Sequence, residues 1–410
     1  MSGATLTGLR QVPVARPVIG DREMRAVQRP LASGWLTQGP EVAAFEREFA
    51  AYTGAPHACA VSNCTTALHL ALRAVGVSAG DEVITVSHSF IASANAIRYC
   101  GGVPVFIDIQ PGGYNIDPAR IEDAITDRTR AILAVHQLGM PCDLEAIVEI
   151  ARRRGRPLIE DAACAAGSFM LWNDQWEPIG RPHGDVACFS FHPRKVMTTG
   201  DGGMLTTRNA EWDRQFRLWR QHSMTVADTA RHGATTVVFE EYSELGYNYR
   251  LTDLQAAVGR EQLVRLPGMV AERRRLARRY SEILSGLEGL QLPFEPPWAR
   301  SNWQSYCVRL PDGRDQRRVM QSMLSAGIAT RRGVMCAHRE PAFRLEPWRC
   351  LGASGVVDGS EHCTSLDESE AITARGLILP LFVGMTDDDQ GRVVAALASA
   401  LDEQAEPACP

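Results

Sequence analysis

Phe189-Ser190-Phe191-His192-Pro193-Arg194-Lys195 runs on to Thr198-Thr199-Gly200-Asp201-Gly202-Gly203, and this stretch decides how the chain is read. A short β-rich run delivers a hydroxyl at Ser190 and then a lysine. Glycines follow, where the backbone can pass close to something bulky. Of the 43 Lys and Arg residues, Lys195 is the one lysine. Arginine replaces lysine on a solvated surface. It does not do so where an amine must lose its proton and attack a carbonyl, because guanidinium stays protonated. The pattern suits a lysine held over a planar cofactor with Ser190 on its phosphate; a solvated surface loop is the competing reading.

Two further segments weigh against that alternative. Glu160-Asp161-Ala162-Ala163-Cys164 follows a β-rich run from Pro157. A carboxylate at the carboxyl end of a strand lies in the crevice where open α/β sheets bind ligands, where it can pair with a protonated ring nitrogen. Capping of the next helix is the plainer role for such an acid. Ser62-Asn63-Cys64-Thr65-Thr66-Ala67-Leu68-His69-Leu70 closes a strand and opens an amphipathic helix. Free N–H groups at a helix start make an anion site, to which Thr65 adds a hydroxyl. Plain N-capping explains the same residues.

Working outward, β-rich runs at Ala58–Val61, Glu82–Val86, Val103–Ile107, Ala131–Val135, Pro157–Glu160, Val186–Phe189 and Gly203–Thr206 alternate with helical patterns. Those patterns are Thr65–Val75, Ile91–Tyr99, Leu144–Arg153 and Ala210–Gln221. The alternation predicts an α/β fold with a mostly parallel seven-stranded sheet flanked by helices. A long helix is expected from Thr252, continuing after Pro267 through Met269–Leu287. A Pro-rich linker then leads to a small α+β C-terminal domain. We expect a large domain over 17–265 and a small one over 266–410, joined by residues 1–16. Gly352–Ser360 reads as a loop, and the tail after Leu401 as a frayed end.

At 410 residues, with 45% apolar and 22% charged residues, the composition is that of a globular protein. A net charge of -5 gives no reason to expect nucleic acid or an acidic membrane surface as partner. No apolar run reaches bilayer length, and Met1–Arg16 lacks a leader pattern, so the expected location is cytoplasmic. The eleven cysteines form no C-x-x-C pair, which predicts reduced thiols and neither a disulfide framework nor a metal site. Arg152-Arg153-Arg154 reads as a solvated helix end.

The ordered motifs S-N-C-T-T-A-L-H-L-A-L, G-D-E-V-I, E-D-A-A, F-S-F-H-P-R-K…T-T-G-D-G-G and L-G-Y-N-Y-R-L-T-D-L-Q-A-A resemble the DegT/DnrJ/EryC1/StrS aminotransferases. These are pyridoxal-phosphate (PLP) enzymes of fold type I, related to aspartate aminotransferase. The resemblance implies that Lys195 forms the internal aldimine and moves the substrate proton, and that Asp161 pairs with the pyridine nitrogen. It further implies that Phe90 stacks on the ring and that Cys64, Thr65 and Ser190 contact the phosphate. Asn248 would come from the partner subunit of a homodimer with shared active sites. The implied reaction carries an amino group from glutamate or glutamine, through pyridoxamine phosphate (PMP), to a keto-sugar or cyclitol ketone. A PLP-dependent lyase or dehydratase, or a PLP-binding regulator without turnover, are the other functions weighed.

The sequence departs from the family pattern where E-D-A-A-Q-A-H-G is usual. Cys164 and Ala166 stand at the Gln and His positions, the former at the contact to the cofactor's phenolic oxygen. Cys64 replaces the glycine of S-G-T, and Val86 replaces a proline. Candidate substrate contacts are Trp35, Thr37, His192, Arg250 and His338, with Trp303, Gln304, Arg331 and Arg332 also near motif ends.

Overall fold

The computed structural model describes residues 10–226, 235–237, 239–352, 355–359, 363 and 365–404. Its first nine strands are β1 (His57–Val61), β2 (Glu82–Val86), β3 (Val103–Ile107), β4 (Thr129–Val135), β5 (Leu158–Asp161), β6 (Phe169–Trp172), β7 (Gln175–Pro178), β8 (Val186–Ser190) and β9 (Gly203–Thr207). After the long helix come β10 (Ala299–Arg300), β11 (Tyr306–Arg309), β12 (Arg331–Arg332), β13 (Arg349–Gly352), β14 (Gly355–Asp358) and β15 (Gly376–Leu379).

The main sheet has the order β1-β9-β8-β5-β4-β2-β3-β13-β14. It is parallel from β8 to β13 and antiparallel at both ends. Its buried strands alternate between two cores. Ile84, Val86, Val105, Ile107, Ile132 and Ala134 face one, and Val83, Ala131, Leu133 and Ile159 the other. Helices cover both faces, which is why the strands read as unbroken apolar runs. A third core joins Leu276, Tyr280 and Leu284 of the helix Asp253–Leu284 to β11, β15 and the helix Asp387–Asp402. Val12 enters it by bridging to Ile328.

The structure corrects the sequence reading at two places. The sheet has nine strands, the seven expected plus β13 and β14. β14 lies in the stretch read as a loop, and β13 ends at the first residue of that stretch. Two residues of β13 pair with β3 (Arg349↔Val105, Cys350↔Phe106), a long-range contact that local pattern does not encode. Cys350 and Cys363 form a disulfide, with Cα atoms 6.2 Å apart, where thiols were expected. The hairpin folds between them, so proximity comes from tertiary structure and not from spacing. The long helix runs through Pro267 as expected and ends at Leu284, three residues before the expected Leu287. The tail expected to fray extends beyond the described residues after Gln404.

Sheet register assembles the site. Asp161 pairs with Cys188, Ser190 with Gly203, and Gly203 with Val61. The three segments quoted above therefore meet at one edge of the sheet, beyond the carboxyl ends of its parallel strands, the usual ligand crevice of such sheets.

A buried carboxylate caps one of the helices of the fold. The helix Pro40–Thr53 has no side-chain cap at its own N-cap, Gly39. Asp253 accepts hydrogen bonds from the N–H groups of Gly39 (2.8 Å), Glu41 (3.1 Å) and Val42 (3.0 Å) instead. Asp253→Ala is expected to destabilise the fold by about 1–2 kcal/mol, the scale of a lost N-cap. Urea unfolding followed by circular dichroism checks this; an unchanged midpoint would show that the cap is dispensable.

Candidate active site

Asp161 is 5% exposed at the end of β5. Its Oδ2 accepts from the Ser93 hydroxyl (2.7 Å) and its Oδ1 from the Ala163 N–H (3.1 Å). Ser89 lies 2.8 Å behind Ser93, oxygen to oxygen. These bonds satisfy the carboxylate but do not neutralise it. A buried anion held by neutral donors is suited to a cationic ligand group.

Lys195 is half-buried, and its Nζ donates to Cys164 Sγ at 3.1 Å. Burial disfavours its ammonium form. The contact with Cys164, with Cys64 and Asp161 nearby, outweighs burial and holds the lysine pKa above its ordinary value. Burial likewise pushes the Cys64 thiol well up, with the Asp161 charge acting in the same direction. Cys64 Sγ is turned to the Cys188 carbonyl at 3.5 Å. A buried carboxylate, an amine and two sulfurs thus occupy one crevice.

The turn carrying Cys164 is clasped by the C-terminal half of the chain. Asn302 Nδ2 donates to the carbonyls of both Cys164 and Ala166, each at 2.8 Å. Asn302 sits against Gly139, where φ is +91° and an added Cβ would lie 2.0 Å from the amide oxygen. Arg273 donates to the carbonyls of Trp303 (2.8 Å) and Gln304 (2.7 Å), and burial lowers its pKa to about 10. Gln304 Nε2 in turn donates to the Arg194 carbonyl at 2.5 Å, beside Lys195. Sequence reasoning singled out Trp303 and Gln304 but missed Asn302, Arg273 and Ser93. The one local sign was Gly139, whose conformation and crowding call for glycine.

On the other side of Lys195 lies the helix Cys64–Ala74, capped by Asn63, whose side chain accepts from Thr66 N at 2.9 Å. A Cβ at Gly203 would fall 2.4 Å from the Asn63 carbonyl, so this backbone approach requires glycine. The approach brings the first turn of that helix, with Thr65, beside Ser190. An amine, a buried acid and a helix N-terminus with two hydroxyls match the carbonyl, ring nitrogen and phosphate of pyridoxal phosphate. The residues present fit that group.

The other expected residues are placed less centrally. Phe90 is 58% exposed at the end of Ser87–Phe90. His338 braces that loop: its Nδ1 lies 2.6 Å from Ser87 Oγ and its Nε2 3.0 Å from Glu370. Burial lowers its pKa although Glu370 pulls it upward. Both ring nitrogens are engaged, which suits a brace better than a substrate contact. His192 and Thr37 are exposed, Trp35 and Arg250 half-buried. Trp303 stacks on Tyr306, and Arg332 pairs with Glu340. Arg331 is exposed. Asn248 lies exposed on a segment whose Tyr249 carbonyl accepts from Ser62 N at 2.8 Å. Arg153 and Arg154 pair with Glu122. No cluster of three or more potential metal ligands and no helix apolar enough to cross a membrane occurs among the described residues.

A model of the DegT/DnrJ/EryC1/StrS aminotransferase family matches residues 17–398. The spore coat polysaccharide biosynthesis protein SpsC of Bacillus subtilis (strain 168) is 36% identical over 391 residues, covering 94% of this chain and 96% of that protein. The crystal structure of S. venezuelae DesV with a ketimine intermediate superposes with a TM-score of 0.83 at 31% identity, covering 97% of this chain and 100% of that one. DesI, solved in the presence of its TDP-sugar product, gives 0.82 at 29% identity, with 96% and 94% covered.

The bonds to Asp161 lead to a graded expectation. Ser93→Ala removes one charge-assisted bond and should weaken pyridoxal phosphate binding about tenfold. Asp161→Asn, which removes the charge, should weaken it further. Fluorescence titration of the two variants checks the order; equal affinity in Ser93→Ala and wild type would show that the serine does not hold the carboxylate.

Proposed function

The chain belongs to the DegT/DnrJ/EryC1/StrS aminotransferase family, and from that footing we propose that it aminates a keto-sugar carried on a nucleotide, with glutamate or glutamine as donor. A free cyclitol ketone is the alternative acceptor. The cofactor is pyridoxal phosphate, which supplies the carbonyl that receives the donor's amino group and a ring that withdraws electrons from the reacting carbon. The observation that carries the reading is the Lys195 amine in one crevice with the buried Asp161 carboxylate. The nucleotide-linked acceptor is supported by DesI, whose product is a TDP-sugar, and the sugar itself by the polysaccharide role of SpsC.

The chain's own residues then take these roles. Lys195 holds the cofactor and, once free, carries the proton between substrate carbon and cofactor as general base and acid. Asp161, oriented by Ser93, keeps the proton on the ring nitrogen. The N–H of Cys64 and the hydroxyls of Thr65 and Ser190 bind the phosphate, and Phe90 covers one ring face. Cys164 takes the place beside the phenolic oxygen. Trp35, Thr37, His192 and Arg250 face the acceptor, with His338 behind them. We assign residues 17–265 to a cofactor-binding domain, and 266–410 with 1–16 to a smaller one.

We also place Asn248 in the partner's site. It is exposed on its own subunit, and the surface carries large apolar side chains that a homodimer would cover, among them Leu36, Phe90, Tyr242 and Leu245. Mixing Lys195→Ala with Asn248→Ala subunits tests the arrangement. A mixed dimer with shared sites has one site carrying both changes and one intact site. After subunit exchange, about a quarter of wild-type sites should work, read as single-turnover release of the keto acid from the donor. No recovery above the separate variants would place Asn248 in its own subunit's site or outside any site.

A further inference from the structure

The Lys195–Cys164 contact is more than a substituted cofactor contact. A sulfur and the chain's one lysine amine face each other at 3.1 Å, and the Asn302 amide pins the cysteine's turn at two carbonyls. Cysteines that react with peroxides sit beside cations, because the thiolate is the attacking form; here the cation is Lys195. Both residues are half-buried, so a small oxidant can reach them.

We propose that Cys164 and Lys195 form an oxidant-driven covalent lock, in which peroxide joins Sγ to Nζ whenever the lysine is not bound to cofactor. In the first step the sulfur attacks hydrogen peroxide: the O–O bond breaks, an S–O bond forms, and water leaves. In the second step the amine attacks the sulfenic sulfur: an S–N bond forms, the S–O bond breaks, and a second water leaves. Thiol and amine together lose two hydrogens, and peroxide takes up the two electrons. Two equivalents of a thiol reductant return the thiol and the amine and leave as their disulfide.

The geometry favours the amine over the other sulfur. Cys64 is buried, turned to the Cys188 carbonyl, and kept protonated by burial. Lys195 is already in contact. The ammonium owes part of its stability to the contact with Cys164. Oxidation of the sulfur weakens that contact, leaves burial to favour the neutral amine, and so prepares the nucleophile for the second step. The consequence is a site that refuses pyridoxal phosphate while oxidised and regains it on reduction.

The lock requires only the contact; its link to cofactor uptake rests on the role proposed for Lys195. The test treats full-length protein, stripped of pyridoxal phosphate, with one equivalent of hydrogen peroxide, and maps the unreduced digest by mass spectrometry. We expect the Cys164 and Lys195 peptides joined and roughly 2 Da lighter than their sum. The link should be absent in Cys164→Ser and opened by dithiothreitol. Cys164 recovered as sulfinic acid, or joined to another cysteine with Lys195 unmodified, would overturn the proposal. Protein loaded with pyridoxal phosphate beforehand should resist cross-linking. A link formed equally well under load would leave the lock standing and contradict Lys195 as the cofactor-bearing amine.

Discussion

The site depends on a negative charge that water does not reach. Asp161 ends β5 with 5% of its surface exposed and its oxygens held by Ser93 and Ala163. Removing a carboxylate from water is expensive unless a positive group arrives to meet it. The cost is borne here by a fold of 410 residues with extensive apolar cores. A ring nitrogen that stays protonated only beside such a charge is the natural counterpart, and the nearby lysine gains from the same field. In the proposed reading, one buried carboxylate organises both the amine and the place where a cationic ring settles.

Around that charge the chain uses two kinds of constraint. Sheet register is the rigid one: the pairs Asp161↔Cys188, Ser190↔Gly203 and Val61↔Gly203 set the acid, the hydroxyl and the helix start at one level. The glycine at 203 allows β9 to meet the helix at Asn63, where a methyl group would collide with the backbone. The second constraint is a clasp from the C-terminal half. Asn302 and Arg273 hold the turn bearing Cys164 and the loop behind it, so the position of the sulfur depends on both halves of the chain. Distortion in either half reaches the lysine through this clasp.

Much of this was legible before any coordinates. The seven expected strands match the sequence reading within two residues at each end, because each is a short apolar run bounded by Gly, Asp or Pro. Lys195, Asp161, Ser190 and Thr65 stood out because chemistry-bearing residues at the carboxyl ends of strands and at helix starts serve ligands more often than cores. What stayed hidden was non-local. β13 adds to β3 from more than two hundred residues away along the chain. The Cys350–Cys363 pair is made by a hairpin and not by spacing. Asn302 lies after a Pro-rich linker without periodicity, and its role appears only when it meets Gly139. Ser93 reads as an ordinary small residue on a helix until its hydroxyl is seen on Asp161.

The central claim is that Lys195 holds pyridoxal phosphate and passes an amino group through it. The most direct test is the absorption spectrum of the purified protein with pyridoxal phosphate, recorded before and after adding L-glutamate or L-glutamine. The account predicts a visible band from the lysine-bound cofactor that one donor bleaches and a nucleotide-linked keto-sugar restores. A band that neither amino acid bleaches would contradict transamination by these donors, and no band at all would remove Lys195 from the cofactor.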